Sequence, residues 1–95
     1  MFARVTTAQC PPDKLEEIAH RILTPSLEAV KRSPGFKDAL SFVDTATGKI
    51  VMNTVWETEA AMQASDALRK EVLGQAASLG LVVVSTEVYN TVTRS

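Results

Sequence analysis

Residues 50–62 change from strand chemistry to helix chemistry within one short stretch, and no other feature of the sequence limits the fold as much. Up to Trp56 the residues are mostly β-branched, long apolar or aromatic, which favours a strand, whereas Ala, Glu, Gln and Met after Thr58 favour a helix. The Thr58 hydroxyl can accept a hydrogen bond from a free amide of the first turn, so we expect it to be the N-cap. The pattern predicts a central strand that leads into a helix over residues 59–78, with a bend at Ser65. Its inward face is predicted from apolar residues at helical spacing: Ala61, Met62, Leu68, Val72, Ala76 and Leu79.

The chain before this stretch begins with a strand and a helix. The strand, Phe2–Gln9, ends near Pro11, which removes a backbone donor from any further ladder. Asp13 is the expected N-cap of the helix that follows, in a capping-box pattern with Glu16. The apolar face of this helix is predicted from residues at helical spacing: Leu15, Ile18, Ala19, Ile22, Leu23, Leu27 and Val30. Pro25 lies inside the helix and lacks the N–H that the helical ladder requires, so we expect a kink there.

Alternating residues and turn residues predict a hairpin in the middle of the chain and one strand at its end. Phe36–Asp44 alternates between two faces, Gly48 can adopt the positive φ of a tight turn, and Lys49–Trp56 returns antiparallel. Gly80 is a suitable C-cap for the second helix. The last strand is predicted over residues 81–92.

The predicted order of elements is β-α-β-β-α-β, which indicates an α+β fold. Its usual form is a four-stranded antiparallel sheet with both helices on one face, the ferredoxin-like plan. A chain of 95 residues forms one domain, so we predict a single ferredoxin-like domain over residues 1–95.

Two of the predicted strands are apolar on both faces. In these strands Leu81 and Val83 oppose Val82 and Val84, and Val51 and Val55 oppose Ile50, Met52 and Trp56. Two helices can cover only one face, and each Val or Ile left in water forgoes roughly 1.5–3 kcal/mol of burial. We therefore expect a second copy to pack sheet against sheet, which makes the protein a homodimer with the architecture of a dimeric α/β barrel.

Composition excludes several classes of partner. Lys and Arg number 10 against 11 acidic residues, so there is no basic field for a phosphate backbone, and we expect no nucleic acid partner. No apolar run approaches the roughly 18 residues of a membrane span, and the first residues lack the apolar core of a signal peptide. We expect a soluble cytoplasmic protein with no membrane partner. Cys10 is the single cysteine and no cluster of His, Cys and carboxylates is apparent, so we expect no metal.

Several of these motifs together resemble the dimeric α/β-barrel superfamily, and within it the small antibiotic biosynthesis monooxygenase (ABM) domain proteins. They are Pro25, residues 34–36, the turn at Gly48, residues 55–61 and residues 87–89. The resemblance covers nearly the whole chain and implies the fold described above. It says less about activity, because such folds host oxygenases, haem-degrading enzymes, isomerases and proteins with no assigned chemistry.

The resemblance also implies which cofactor chemistry is missing. The haem-degrading branch uses an Asn in the first strand and a Trp and a His in the second helix. Here the first strand has no Asn, Ser65 occupies about the position of that Trp, and Gln75 falls near the position of that His. We expect no haem and no other cofactor.

Cofactor-free members that oxidise polyketide phenols use an Asn and a Trp near the end of the third strand, which suggests roles for Asn53 and Trp56. Asn53 is the candidate catalytic residue, as the donor that stabilises an anionic intermediate, and its alternative is a hydrogen-bonded polar residue of a buried sheet. Trp56 is either an anchor between sheet and helix or a wall on which a substrate stacks. The two residues are three apart, which puts them on opposite faces of a regular strand.

Further substrate-binding candidates lie on the first and last strands, and the only histidine does not join them. Tyr89 and Glu87 share one face of the last strand and either line a ligand pocket or serve packing and pairing roles. Arg4 on the first strand has the same two interpretations. His20 has an unperturbed pKa near neutrality, as a general base requires, but it lies at the edge of the apolar arc of the first helix, so we expect it at the surface.

The sequence therefore supports two functions. One is a small homodimeric ABM-like protein with an apolar pocket for an aromatic or polyketide-like small molecule, acting as a cofactor-independent monooxygenase. The other is a non-catalytic dimeric module for ligand binding or stress response. They differ in whether a polar donor is aimed at a ligand oxygen inside a pocket.

Overall fold

The computed structural model describes residues 1–93 and has four strands and four α-helices. The strands are β1 (Phe2–Gln9), β2 (Phe36–Asp44), β3 (Lys49–Trp56) and β4 (Val82–Tyr89), and they form one antiparallel sheet in the order β2-β3-β1-β4. The helices are α1 (Leu15–Ile18), α2 (Thr24–Lys31), α3 (Glu59–Ala64) and α4 (Asp66–Ala77). This is the predicted α+β, ferredoxin-like architecture. None of the described helices has the length and apolar character needed to cross a membrane.

The strand register divides the sheet into two faces. Residues directly opposite each other in an antiparallel pair share a face, and successive residues alternate. The helical face, against which the helices pack, includes Arg4, Thr6, Ala8, Ser41, Ile50, Met52, Thr54, Trp56 and Thr86. The open face consists of Ala3, Val5, Thr7, Leu40, Phe42, Val51, Asn53, Val55, Ser85, Glu87 and Tyr89.

The hydrophobic core lies between the helical face and the helices. Its buried cluster contains Ala8, Cys10, Leu15, Ile18, Ile22, Leu23, Ile50, Ala76 and Leu81. Of the apolar face predicted for the first helical region, Leu15, Ile18, Ile22 and Leu23 belong to this cluster, whereas Ala19, Leu27 and Val30 are only partly buried. On the open face, by contrast, Leu40 and Phe42 are 56% and 52% exposed, while Val5, Val51 and Val55 are half-buried. The predicted apolar surface on the second face of the sheet is therefore present in the single chain.

The first helical region starts differently from the prediction. A 3-10 turn over Pro12–Lys14 precedes α1, the Lys14 N–H donates to the Pro11 carbonyl at 2.9 Å, and no side chain caps either helix start. The predicted Asp13 cap is therefore wrong. The reason is that Pro11 and Pro12 have fixed φ and no N–H, so they begin a helical turn without needing a side-chain acceptor.

A π-helical turn lies just before Pro25, where the sequence predicts a kink. This turn, Ala19–Leu23, joins α1 to α2 directly before Pro25, and the Thr24 N–H donates to the Ala19 carbonyl five residues back. The Thr24 hydroxyl donates to the same carbonyl at 3.0 Å, and the Ser26 hydroxyl donates to the Leu23 carbonyl at 2.7 Å. Side-chain hydroxyls thus supply donors around the position where proline has none.

The second helical region agrees closely with the sequence pattern. The Thr58 hydroxyl accepts from the Ala61 N–H at 3.1 Å, which confirms the N-cap, and Ser65 separates α3 from α4, which confirms the bend. Gly80 has φ of +95° after the helix end, as a C-cap requires. Strand β4 ends at Tyr89, earlier than predicted, because Tyr89 pairs with Ala3 and β1 begins at Phe2.

Substitution of Gly48 by alanine should destabilise the fold, whereas the same change at Gly74 should not. Gly48 has φ of +80°, and an added Cβ would overlap the Cys10 carbonyl oxygen. We expect Gly48→Ala to lower the free energy of unfolding by more than about 2 kcal/mol in urea titrations. Gly74 lies inside α4 with nothing within 4 Å of an added Cβ, so Gly74→Ala should raise it by about 0.5–1 kcal/mol. Equal effects at the two positions would contradict this assignment of the turn.

Candidate functional site

A mostly apolar cavity lies between the helical face of the sheet and the helices. Its volume is about 80 Å³. The apolar wall consists of Leu23, Leu27, Val30, Met52, Trp56, Leu68, Val72 and Leu73, and the polar lining of Arg4, Thr6, Ser26, Ser41, Asn53, Thr54, Ser65 and Arg69. An engineered cavity of about 150 Å³ holds benzene, so a ring can enter here only when part of the wall moves or when part of the molecule stays outside. The π-helical turn contributes Leu23 to that wall, and such turns recur at functional sites.

Arg4 lies at the polar side of the cavity and is held by the break between α3 and α4. The residue is buried, its Nη2 donates to the Met62 carbonyl at 3.0 Å, and its Nη1 donates to the Ser65 hydroxyl at 3.3 Å. Burial lowers the pKa of Arg4 from its usual value, repulsion by Arg69 lowers it further, and Asp66 opposes both effects. The surroundings of the Arg4 guanidinium therefore stabilise its charge less than water would.

Arg69 stands beside Arg4, and reasoning from the sequence missed it. Its Nη2 donates to the Thr86 hydroxyl at 2.6 Å and to the Thr6 hydroxyl at 3.5 Å, so the side chain runs across the helical face. Its Nε is buried and has no hydrogen-bond partner among the described residues. A signal was present in the sequence, because Arg69 falls at helical spacing between the inward residues Met62 and Val72.

Asp66 is the carboxylate that faces both arginines. Its Oδ1 is 4.0 Å from Arg4 Nη2 and 3.8 Å from Arg69 Nη1, and its Oδ2 is 3.2 Å from Lys70 Nζ. The hydrogen bond from Lys70 is the main cause that lowers the pKa of Asp66, with smaller contributions from Arg4 and Arg69. One carboxylate is thus shared among three cations, and positive charge is in excess at this end of the cavity.

Trp56 is both a buried anchor and part of the cavity wall. It is 1% exposed, and its ring meets the Phe36 ring edge-on with centroids 5.8 Å apart and an angle of 84° between the planes. Its Nε1 is buried without a hydrogen-bond partner in residues 1–93. Trp56 therefore has the burial expected of an anchor and also lines the cavity, and its role in stacking a substrate stays a prediction.

Asn53 borders the cavity, but its side chain belongs to the other face of the sheet. Asn53 pairs with Val5 and with Leu40 on the open face, whereas Trp56 pairs with Phe2 on the helical face, so the predicted separation of the two residues is confirmed. Only the backbone of Asn53 can then reach the cavity. The Asn53 Oδ1 is buried without a hydrogen-bond partner among the described residues. The catalytic role assigned to Asn53 stays a prediction.

Glu87 and Tyr89 also lie on the open face, outside the cavity. The Tyr89 hydroxyl donates to Glu87 Oε2 at 2.9 Å. This hydrogen bond raises the pKa of Tyr89, because it stabilises the neutral phenol, and the charge of the carboxylate raises it further. The structure therefore brings Arg4 and Trp56 together in this cavity, which Glu87 and Tyr89 do not line. Arg4 and Tyr89 both line a second pocket, at the end of β4.

His20 and Cys10 are not positioned to take part in chemistry in the cavity. The His20 side chain is 75% exposed, as predicted, and its Nε2 lies 4.0 Å from Glu16 Oε1. Cys10 is buried beneath the hairpin turn, and burial raises the pKa of its thiol, which makes it a poor nucleophile. Within residues 1–93 no three His, Cys, Asp or Glu side chains are grouped closely enough to hold a metal ion.

Solved structures share this fold at low sequence identity. A protein from Deinococcus radiodurans, provisionally named an antibiotic biosynthesis monooxygenase, is similar with a TM-score of 0.82 and 14% identity, over 100% of this chain and 96% of that chain. A protein of the same provisional name from Nitrosomonas europaea gives 0.76 and 18% over 98% of this chain and 100% of that one. Another such protein, from Chloroflexus aurantiacus, gives 0.76 and 13% over 99% and 95%. No protein-family model matches the chain, and comparison with the curated proteins finds no match. These likenesses establish the fold.

Replacing Trp56 by alanine should remove the anchor between the sheet and α3. A buried tryptophan truncated to alanine typically costs about 3–5 kcal/mol, so we expect a loss of that size in urea unfolding. Val88→Ala is the matched control, because Val88 is 55% exposed at the sheet surface and should change stability by no more than about 0.5 kcal/mol. A loss below about 1 kcal/mol for Trp56→Ala would instead assign Trp56 mainly to ligand contact.

Proposed function

We propose that the protein is a small homodimeric ABM-like protein and a cofactor-independent monooxygenase that acts on an aromatic or polyketide-like molecule. The observation that carries this proposal is the apolar cavity between helices and sheet, with the Trp56 ring in its wall and two arginines at its polar end. An aromatic ligand is held by apolar contact and stacking, while a few polar groups fix its orientation. The shared fold with proteins of that provisional name supports the proposal.

The proposed reaction needs little from the protein. An acidic phenol loses a proton, and the electron-rich ring carbon of its anion attacks dioxygen to form a C–O bond. The resulting hydroperoxide loses water and leaves a carbonyl group, so one oxygen atom enters the product and the other enters water. Dioxygen is the oxidant, and the substrate supplies all four electrons. The protein then has to orient the ring, stabilise the anion and exclude water.

The oxygenase is tested with an anthrone-type phenol and dissolved oxygen, without added flavin, metal or haem. We expect oxygen consumption by the wild type. His20→Ala should leave kcat nearly unchanged, because the His20 side chain is exposed and is not among the residues that line the cavity. Val72→Phe, which puts a larger side chain into the cavity wall, should abolish turnover while the circular dichroism spectrum is retained. Absence of turnover by the wild type with any oxidisable phenol would favour the non-catalytic ligand-binding or stress-response module.

Asn53 is tested in the same assay. The sequence predicts that Asn53→Ala lowers kcat about a hundredfold, since removal of an anion-stabilising donor costs this much in other enzymes. Because the register turns the Asn53 side chain to the open face, this loss would place the reacting oxygen on that face. A kcat within about threefold of the wild type would contradict the predicted role and leave Asn53 a residue of the sheet.

The proposed homodimer rests on the open face. Leu40 and Phe42 are more than half exposed there, and the valines of β1 and β3 on the same face are half-buried. A partner sheet would bury all of them. Arg4 and Trp56 face the helices instead, so association through the open face leaves the cavity unblocked.

We expect sedimentation to show a two-fold dimer at micromolar concentration, and Phe42→Lys to convert it to monomer by placing charge in the interface. Val43→Lys is the matched control, because Val43 is adjacent in β2 and 47% exposed but lies on the opposite face. A well-folded wild-type monomer at micromolar concentration, or equal effects of the two substitutions, would contradict this association.

A further inference from the structure

The polar end of the cavity contains more positive charge than the described residues neutralise. Arg4 and Arg69 both face Asp66, which also pairs with Lys70. The remaining acceptors of the two arginines are neutral: the Met62 carbonyl and the hydroxyls of Ser65, Thr6 and Thr86. A buried guanidinium without a full countercharge is costly, and a ligand that brings negative charge would remove part of that cost.

The geometry of the two arginines suits an anionic oxygen group. Arg4 donates to the Met62 carbonyl and the Ser65 hydroxyl at the break between α3 and α4. Arg69 extends from α4 across the sheet and donates to the Thr86 hydroxyl. The Arg69 Nε is buried without a hydrogen-bond partner among residues 1–93, so this guanidinium has one unused donor, and both arginines line the cavity. Guanidinium groups bind carboxylate and similar oxyanions with two parallel hydrogen bonds.

We propose that the cavity binds a small aromatic molecule that carries an anionic oxygen group, a carboxylate or an ionised phenol, with its ring on the apolar wall and its anionic group at Arg69 and Arg4. This inference rests on the proposed function only in taking the cavity as the ligand site. It adds that the ligand is recognised by its charge and not by its ring alone. A neutral aromatic of the same shape is discriminated against, because it leaves the arginines uncompensated.

The charge requirement is tested by equilibrium dialysis with benzoate and its neutral isostere benzamide. Single-ring probes are used because they require the smallest displacement of the cavity wall. A second pair, 4-nitrophenolate at alkaline pH and 4-nitroanisole, distinguishes a phenolate ligand from a carboxylate. We expect the preferred anion to bind the wild type at least tenfold more tightly than its neutral counterpart, and raised ionic strength to weaken only the anion. Equal affinity within both pairs, or no binding of any probe at millimolar concentration, overturns the proposal.

Substitution of Arg69 tests whether the preference for the anionic probe comes from Arg69 and Arg4. Arg69→Met should lower affinity for the anion at least tenfold and leave the neutral probe unchanged, while Arg69→Lys should retain part of the discrimination. Arg21→Met is the matched control, because Arg21 is an exposed helical arginine paired with Glu17 and should change neither affinity. An unchanged ratio in a folded Arg69→Met protein overturns the assignment. If Arg69→Met does not fold, the wild-type ratio and its salt dependence decide.

The two proposals fail separately. Anion discrimination without any oxygen consumption would remove the oxygenase and keep this site. Oxygen consumption with equal binding of the charged and neutral probes would keep the oxygenase and remove this site.

Discussion

Helical cover on only one face of the sheet determines most of what this structure can do. The antiparallel register puts Ala8, Ile50 and Trp56 under the helices, where they are buried, and leaves Leu40 and Phe42 on the other face in contact with water. The cavity is consequently built within one chain. Association, as proposed, would use the opposite face. A substitution on one face can therefore alter that surface without changing the other, since the backbone of the sheet lies between them.

The break between α3 and α4 connects the core to the polar end of the cavity. Carbonyl groups in the last turn of a helix lack intrahelical partners. In α3 the Met62 carbonyl accepts from Arg4 Nη2 and also from the Ser65 hydroxyl at 2.6 Å. The arginine of β1 thus satisfies a helix end while it fixes the position of its own guanidinium. The same carbonyl also accepts the Ser65 N–H at 3.2 Å, so backbone and side-chain donors together satisfy the end of α3.

The strands and their turns could be predicted from the sequence because each is encoded by local chemistry. Period-two alternation predicted the observed bounds of β2 and β3. Gly48 and Gly80 have the positive φ that the turns at these positions require. The Asp13 cap was wrong because Pro11 and Pro12 constrain the backbone and start a helical turn two residues earlier. The end of β4 was placed too late, since strand length depends on the partner strand and not on the composition of the strand itself.

The candidate site was only partly predictable, for a different reason. Arg4, Asn53 and Trp56 do border the cavity, but which face each side chain occupies depends on register between strands that are distant in sequence. Glu87 and Tyr89 share a face, as alternation predicts, yet that face is not the one that holds the cavity.

Arg69 illustrates a general limit of hydrophobic patterns. The inward stripe of the second helical region was read from its apolar members, and the charged residue at the same spacing was passed over. A charge in an inward stripe is the more informative observation, because apolar residues are buried by default whereas a guanidinium is buried only at a cost. The Arg69 side chain is 22% exposed, and threonine hydroxyls and a shared carboxylate reduce the cost of its partial burial, but Nε still lacks a partner among residues 1–93. A small domain has few kcal/mol of net stability with which to tolerate such a residue. Its presence beside a cavity is therefore easier to explain by what enters the cavity than by what holds the fold together.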